Sequence, residues 1–114
     1  MLCFINTEIG VREFDSNLLV ALEAASRGHS SVIFDQRDLP LYSRRVIGAG
    51  SVLHTKSIHP EASMMGVLQA AANRGVRITS IDQEHGLLKK SYSSTLRRRY
   101  STEGLEIVSR LFTW

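Results

Sequence analysis

Residues 2–34 read LCFINTEIGVREFDSNLLVALEAASRGHSSVIF, and the fold class follows from this one stretch. Leu2-Cys3-Phe4-Ile5 is a short, continuous apolar run of the kind carried by a strand buried on both faces. Asn6 to Arg12 holds Gly10 among polar residues and reads as a loop. Asp15 or Ser16 offers an N-cap for the helix that follows. Phe14, Leu18, Leu19, Leu22 and Ala25 recur at helical spacing, which predicts one stripe buried against the core. Gly28 stands where a helix end favours a left-handed residue, and Ser31-Val32-Ile33-Phe34 is a second buried strand. Strand, helix, glycine and strand in this order make a βαβ unit, with parallel pairing and a right-handed crossover.

Working outward, Arg37 to Gly50 contains Pro40 and two glycines and reads as a loop with one irregular turn. The first pattern then repeats. Ser51-Val52-Leu53-His54 is a short strand, and Pro60 suits the first turn of a helix carrying Met64, Val67, Leu68 and Ala71 to Arg74. Gly75 ends that helix as Gly28 ended the first, and Val76 to Ile81 is a strand. Leu87 to Tyr100 includes a basic helical turn; Ser101 or Thr102 caps a short helix through Leu105, Ile107 and Val108. Arg110 to Trp114 reads as a further strand. The expected architecture is a single α/β domain over residues 1–114, a three-layer, Rossmann-like arrangement around a mostly parallel sheet.

The chain's 114 residues suffice for one domain, and 43% hydrophobic with 22% charged residues is ordinary for a folded one. Cys3 is the only cysteine, which excludes an internal disulfide and a multi-cysteine zinc site. Inside its apolar run it is expected to act as a small buried hydrophobe. No apolar stretch is long enough to cross a bilayer and no leader pattern precedes Leu2, so a cytoplasmic setting is expected, with peripheral contact at the inner membrane as a further option. The net charge of +3 conceals a local excess at Lys89, Lys90, Arg97, Arg98 and Arg99. Such a run is either a solvated helix face or a patch for an anionic ligand. Without interleaved aromatic residues it does not suggest specific nucleic-acid recognition. The apolar ending at Trp114 suggests an artificially cut chain, a truncated open reading frame or the first domain of something longer.

In open parallel sheets, ligands bind beyond the carboxyl ends of the strands, where strand order reverses. The loop after the first strand carries Glu8, Arg12 and Glu13; that after the third, Thr55, Lys56 and Ser57; that after the fourth, Asp82, Gln83, Glu84, His85 and Gly86. With the common order 3-2-1-4-5, Arg12 and Glu13 face Asp82 and Glu84 across the switch point. Arg12 could clamp a carboxylate or phosphate, and Glu84 could act as a general base or hold a sugar hydroxyl. The same groups could equally form ion pairs and caps. The four histidines have no metal-ligand spacing, and neither a GxGxxG turn nor a Walker A loop occurs, so no bound cofactor or metal is expected.

Thr7 to Asp15, Leu18 to Ala25 with Arg27-Gly28-His29, Lys56-Ser57-Ile58 and Ile81 to Gly86 together resemble the N-terminal part of bacterial surface carbohydrate biosynthesis proteins. Gln83 and His85 depart from that family's Asp-Glu-Glu-Gly motif, leaving Glu84 as its matching acid. The resemblance implies the acceptor-side half of a two-Rossmann-domain, GT-B-like glycosyltransferase in capsule or lipopolysaccharide assembly. Its partners would be a glycan acceptor and a nucleotide-activated acidic sugar, the latter bound mainly by a C-terminal domain. Glu84 would then be catalytic, with Arg12, Glu13, Lys56, Ser57, Asp82 and Gly86 binding substrate. The half-enzyme alone would be inactive and prone to self-association through its uncovered face. The competing reading is a non-catalytic module that holds an anionic ligand through residues 89–99.

Overall fold

The computed structural model describes residues 1–56, 58, 62–81 and 100–112. Its strands are β1 (Leu2–Thr7), β2 (Ser30–Asp35), β3 (Val52–Thr55), β4 (Arg77–Ile81) and β5 (Val108–Phe112). Its helices are α1 (Gly10–Ser26), α2 (Leu39–Arg45), α3 (Ala62–Asn73) and α4 (Thr102–Ile107), and a 3-10 turn at Gln36–Asp38 leads into α2. The five strands form one all-parallel sheet in the order β2-β1-β3-β4-β5. This is the α/β, Rossmann-like architecture expected from the sequence, with a different strand order.

One sheet face carries the core. Phe4, Leu53 and Ile78 lie side by side on β1, β3 and β4 and are fully buried. Leu39 of α2 and Leu68 and Ala71 of α3 cover them, with Ile47, Ile58 and Val76 filling between. Each such side chain contributes roughly 1.5–3 kcal/mol through its removal from water. Phe34 on β2 belongs to the same layer, its ring 4.9 Å from that of Tyr42.

The segment after β2 is more ordered than its proline and glycines suggested. The Asp35 carboxylate accepts the Arg37 N–H, which starts the 3-10 turn. Pro40 sits in the first turn of α2, where its missing N–H is harmless. Leu39 and Ser43 give α2 its inward side. This helix carries the chain past β1, so β3 joins the sheet beside β1 rather than beyond β2.

Helix α1 begins at Gly10, behind an Ile9 N-cap, several residues before the Asp15 or Ser16 start read from the sequence. Its orientation also differs from the expected one. Glu13 and Asn17 are buried, Ala21 and Ala24 are half-buried, and Phe14, Leu18, Leu19, Leu22 and Ala25 are exposed. The expected apolar stripe therefore faces away from the core. Polar anchors turn the helix: Asn17 Nδ2 donates to Thr7 Oγ1 at 2.9 Å, and Glu13 binds the loop before the helix.

Other features follow the sequence reading. Gly28 and Gly75 adopt φ of 78° and 84° immediately after α1 and α3, the conformation that ends a helix without a Cβ penalty. Ser101 caps α4 by accepting the Gly104 N–H at 2.9 Å. Cys3 is only half-buried. Among the described residues, no helix is long and apolar enough to cross a membrane. Pro60 and the segment 82–99 lie outside the described residues.

The orientation of α1 makes a stability contrast testable. Leu53→Ala is expected to cost about 3 kcal/mol, as for other buried leucines. Leu19→Ala, on an exposed face of α1, is expected to stay within about 0.5 kcal/mol of the parent. Urea unfolding of both variants measures the difference; a large loss at Leu19 would contradict this orientation.

Candidate functional site

The order β2-β1-β3-β4-β5 reverses direction between β1 and β3, so the crevice at the carboxyl end of the sheet lies between these two strands. The loops flanking it are those after β1 and β3, not those after β1 and β4. The strand order expected, 3-2-1-4-5, is thereby corrected; Asp82 and Glu84, expected opposite Arg12 and Glu13, lie outside the described residues.

At that crevice one carboxylate organises both loops. Glu13 is 2% exposed, and its Oε2 accepts the backbone N–H of Glu8 at 2.9 Å and of Ile9 at 3.3 Å. It thereby supplies to the start of α1 the acceptor that Ile9 lacks. Its other oxygen lies 3.0 Å from Lys56 Nζ and 3.5 Å from Arg12 Nη2. Lys56 Nζ also meets Glu8 Oε2 at 3.1 Å, so the residue that follows β3 ties down the turn that follows β1. Burial alone would raise the Glu13 pKa; the Glu8 and Ile9 amides together with Lys56 outweigh it and hold the carboxyl below its ordinary value of 4.5.

Beneath this rim the sheet turns polar. Register places Asn6 beside Thr55 and Thr55 beside Ser80, and all three are 2% exposed or less. Asn6 Nδ2 donates to Thr55 Oγ1 at 3.2 Å. Asn6 Oδ1 and Ser80 Oγ are buried with no protein partner among the described residues. Such atoms are costly unless a water or ligand reaches them. On the opposite face, His54 Nδ1 lies 2.9 Å from Thr79 Oγ1, and burial pushes the imidazole pKa below 6.5. His54 is a buried structural histidine, and the row Asn6, Thr55, Ser80 is the part of this region that sequence reading missed. The signal was present: all three are polar residues near the ends of strands that are otherwise apolar on that face.

Of the residues expected at the site, the structure brings Arg12, Glu13 and Lys56 together, with Glu8 as a fourth member. Ser57, Asp82, Glu84 and Gly86 lie outside the described residues, as does the basic run at Lys89, Lys90, Arg97, Arg98 and Arg99. Lys56 and Arg12 each meet Glu13 rather than standing ready for an external anion. Among the described residues the rim pairs two acids, Glu8 and Glu13, with two bases, Arg12 and Lys56. A shallow apolar groove lined by Leu2, Phe4, Val46 and Gly48 to Ser51 lies at the opposite, amino end of the sheet and holds no titratable side chain.

No protein-family profile matches the chain, and no characterised protein matches it closely enough to show kinship.

The two buried titratable groups make stability depend on pH in separate windows. For His54 the folded state binds fewer protons than the unfolded chain below 6.5, so stability is lost as pH falls through that value. For Glu13, with its folded pKa depressed, the contribution is present above 4.5 and is lost as pH falls further. A melting series from pH 8 down to about 2.5 is expected to show both declines. His54→Gln should remove the upper one and Glu13→Gln the lower, while Glu13→Gln should also cost about 2 kcal/mol at pH 7 through its lost charged hydrogen bonds.

Proposed function

We propose that this chain is the acceptor-side domain of a glycosyltransferase of surface polysaccharide assembly, with its carbohydrate held at the crevice between β1 and β3. The observation that supports a carbohydrate is the combination at that crevice of a charge-balanced rim and a buried polar row. Glu8 is partly exposed and can accept hydroxyl hydrogen bonds, while Lys56 holds it in place. Beneath it Asn6 Oδ1 and Ser80 Oγ are buried polar atoms with no protein partner among the described residues. A rim in which Lys56 and Arg12 are matched by Glu8 and Glu13 offers little net attraction to a phosphate, but it suits a ligand with many neutral hydroxyls.

The division of labour is what the family resemblance implies. The acceptor glycan meets this domain, and the nucleotide-activated acidic sugar is carried mainly by a second domain. Glu84, four residues beyond Ser80 at the end of β4, is the matching acid of the family's motif and serves as the candidate base for the attacking hydroxyl. No resident cofactor or metal is required. The sequence likeness at Thr7 to Asp15 and Lys56-Ser57-Ile58 supports the family, and it falls on the two loops that flank the crevice.

Nuclear magnetic resonance titration of the full chain tests the assignment. Lipopolysaccharide core oligosaccharide is expected to perturb the amides of Asn6, Glu8, Thr55 and Lys56, whereas a cytidine nucleotide should leave them unchanged. Glu8→Gln should weaken oligosaccharide binding about tenfold, the loss of one charged hydrogen bond. Perturbation by the nucleotide alone, or no response at these residues to any glycan, would refute the reading.

A further inference from the structure

We infer that two copies of this chain pair through the outer edge of β2 and the apolar flank of α1, forming one continuous ten-stranded sheet. The argument starts from the rotation of α1. In a right-handed crossover the helix runs antiparallel to β1, over the β1–β2 side of the sheet. It touches both strands, β2 more extensively. With the line Glu13, Asn17, Ala21, Ala24 down on the sheet, a step of 100° per residue puts Phe14, Leu18, Leu22 and Ala25 on the flank toward β2. The opposite flank, toward β3, carries Arg12, Ser16 and Glu23 around a single apolar residue, Val20.

The β2-side flank is apolar and exposed. Val11 is 104% exposed, Leu22 57% and Phe14 49%, with Leu18 between them at 39%. Together they form a patch on the order of 400 Å², the size that marks an interaction site rather than scattered surface residues.

Directly beside this flank runs an edge that no described residue pairs or covers. β2 is the terminal strand of the sheet and pairs with β1 without a bulge over six residues. Its sequence, Ser30 to Asp35, has neither lysine nor proline, the usual means of blocking edge pairing. Its one charge, Asp35, is neutralised by the two-pronged contact of Arg37 at 2.9 and 2.8 Å.

A two-fold axis perpendicular to the sheet satisfies both features at once. It pairs β2 with β2 in antiparallel fashion and leaves both α1 helices on the same face. Each helix sits about half a strand spacing inside β2, and paired strands lie about 4.8 Å apart, so the two helix axes fall ~10 Å apart. That is the distance at which helices pack through side chains of this size. The apolar patch supplies about half of the ~800 Å² per partner in a stable interface, and the six-residue edge with its flanking side chains supplies the remainder. The arrangement is isologous, so each surface completes the other.

Sedimentation equilibrium and hydrogen exchange on the full chain test this. At about 100 μM the chain is expected to sediment at twice its 12.7 kDa mass. Leu18→Glu should weaken association at least tenfold, whereas Leu19→Glu, outside the flank, should leave it intact; circular dichroism checks that both stay folded. The outward amides of β2 should exchange slowly in the parent and rapidly in Leu18→Glu. A monomeric parent, a Leu18→Glu variant that associates as well as the parent, or rapid β2 exchange in an associated parent would each overturn the inference. None of these outcomes bears on the carbohydrate crevice, which lies on the other side of β1.

Discussion

The carboxylate of Glu13 sets the geometry of this molecule. It is buried, it accepts two backbone amides that precede α1, and it meets Lys56, the residue that follows β3. A buried carboxylate left without such partners is unfavourable by several kcal/mol, so the helix must keep this residue inward once the chain has folded around it. Asn17, one turn on, enforces the same rotation through Thr7. Two polar contacts thus decide which side of a seventeen-residue helix faces the sheet. The apolar residues Phe14, Leu18 and Leu22 are displaced to a flank, although burying them would yield roughly 2 kcal/mol each. Both preferences can be satisfied only where a second surface meets that flank.

This conflict explains where the sequence was legible and where it was not. Helix ends marked by Gly28 and Gly75 were readable because a positive φ is a local requirement, and those glycines meet it. The buried strands at Leu2-Cys3-Phe4-Ile5 and Ser31-Val32-Ile33-Phe34 were readable because parallel central strands carry continuous apolar runs. The facing of α1 was not readable. Periodicity locates an apolar stripe but does not say whether the chain's own core covers it. Glu13 and Asn17 take the inward side through contacts with residues on β1 and β3, which no pattern within the helix records.

Strand order was illegible for a related reason. It depends on whether the chain after β2 continues outward or crosses back over β1. Seven residues of α2 decide that, and they lie in a stretch whose Pro40 and glycines suggest a loop. Leu39 and Ser43 turn inward only because Phe34 and the core beside it give them a surface. The consequence reaches the site: moving β3 next to β1 places Lys56 against Glu8 and Glu13. Arg12, Glu13 and Lys56, singled out from the sequence, do meet at one rim, and Glu8 joins them there.

Those partners alter the chemistry the rim can support. A lysine and an arginine read in isolation suggest an anion clamp, since each brings a full positive charge and several donors. Placed against Glu8 and Glu13, they instead fix two carboxylates and cancel their charge. What remains at the crevice is a set of oriented acceptors above buried amide and hydroxyl groups, a surface with little long-range attraction for ions but with specific positions for hydroxyls. The carbohydrate binding we propose there depends on the direction of hydrogen bonds rather than on net charge. It should therefore respond weakly to salt, because screening acts on charges in solvent and hardly on short contacts in a buried row.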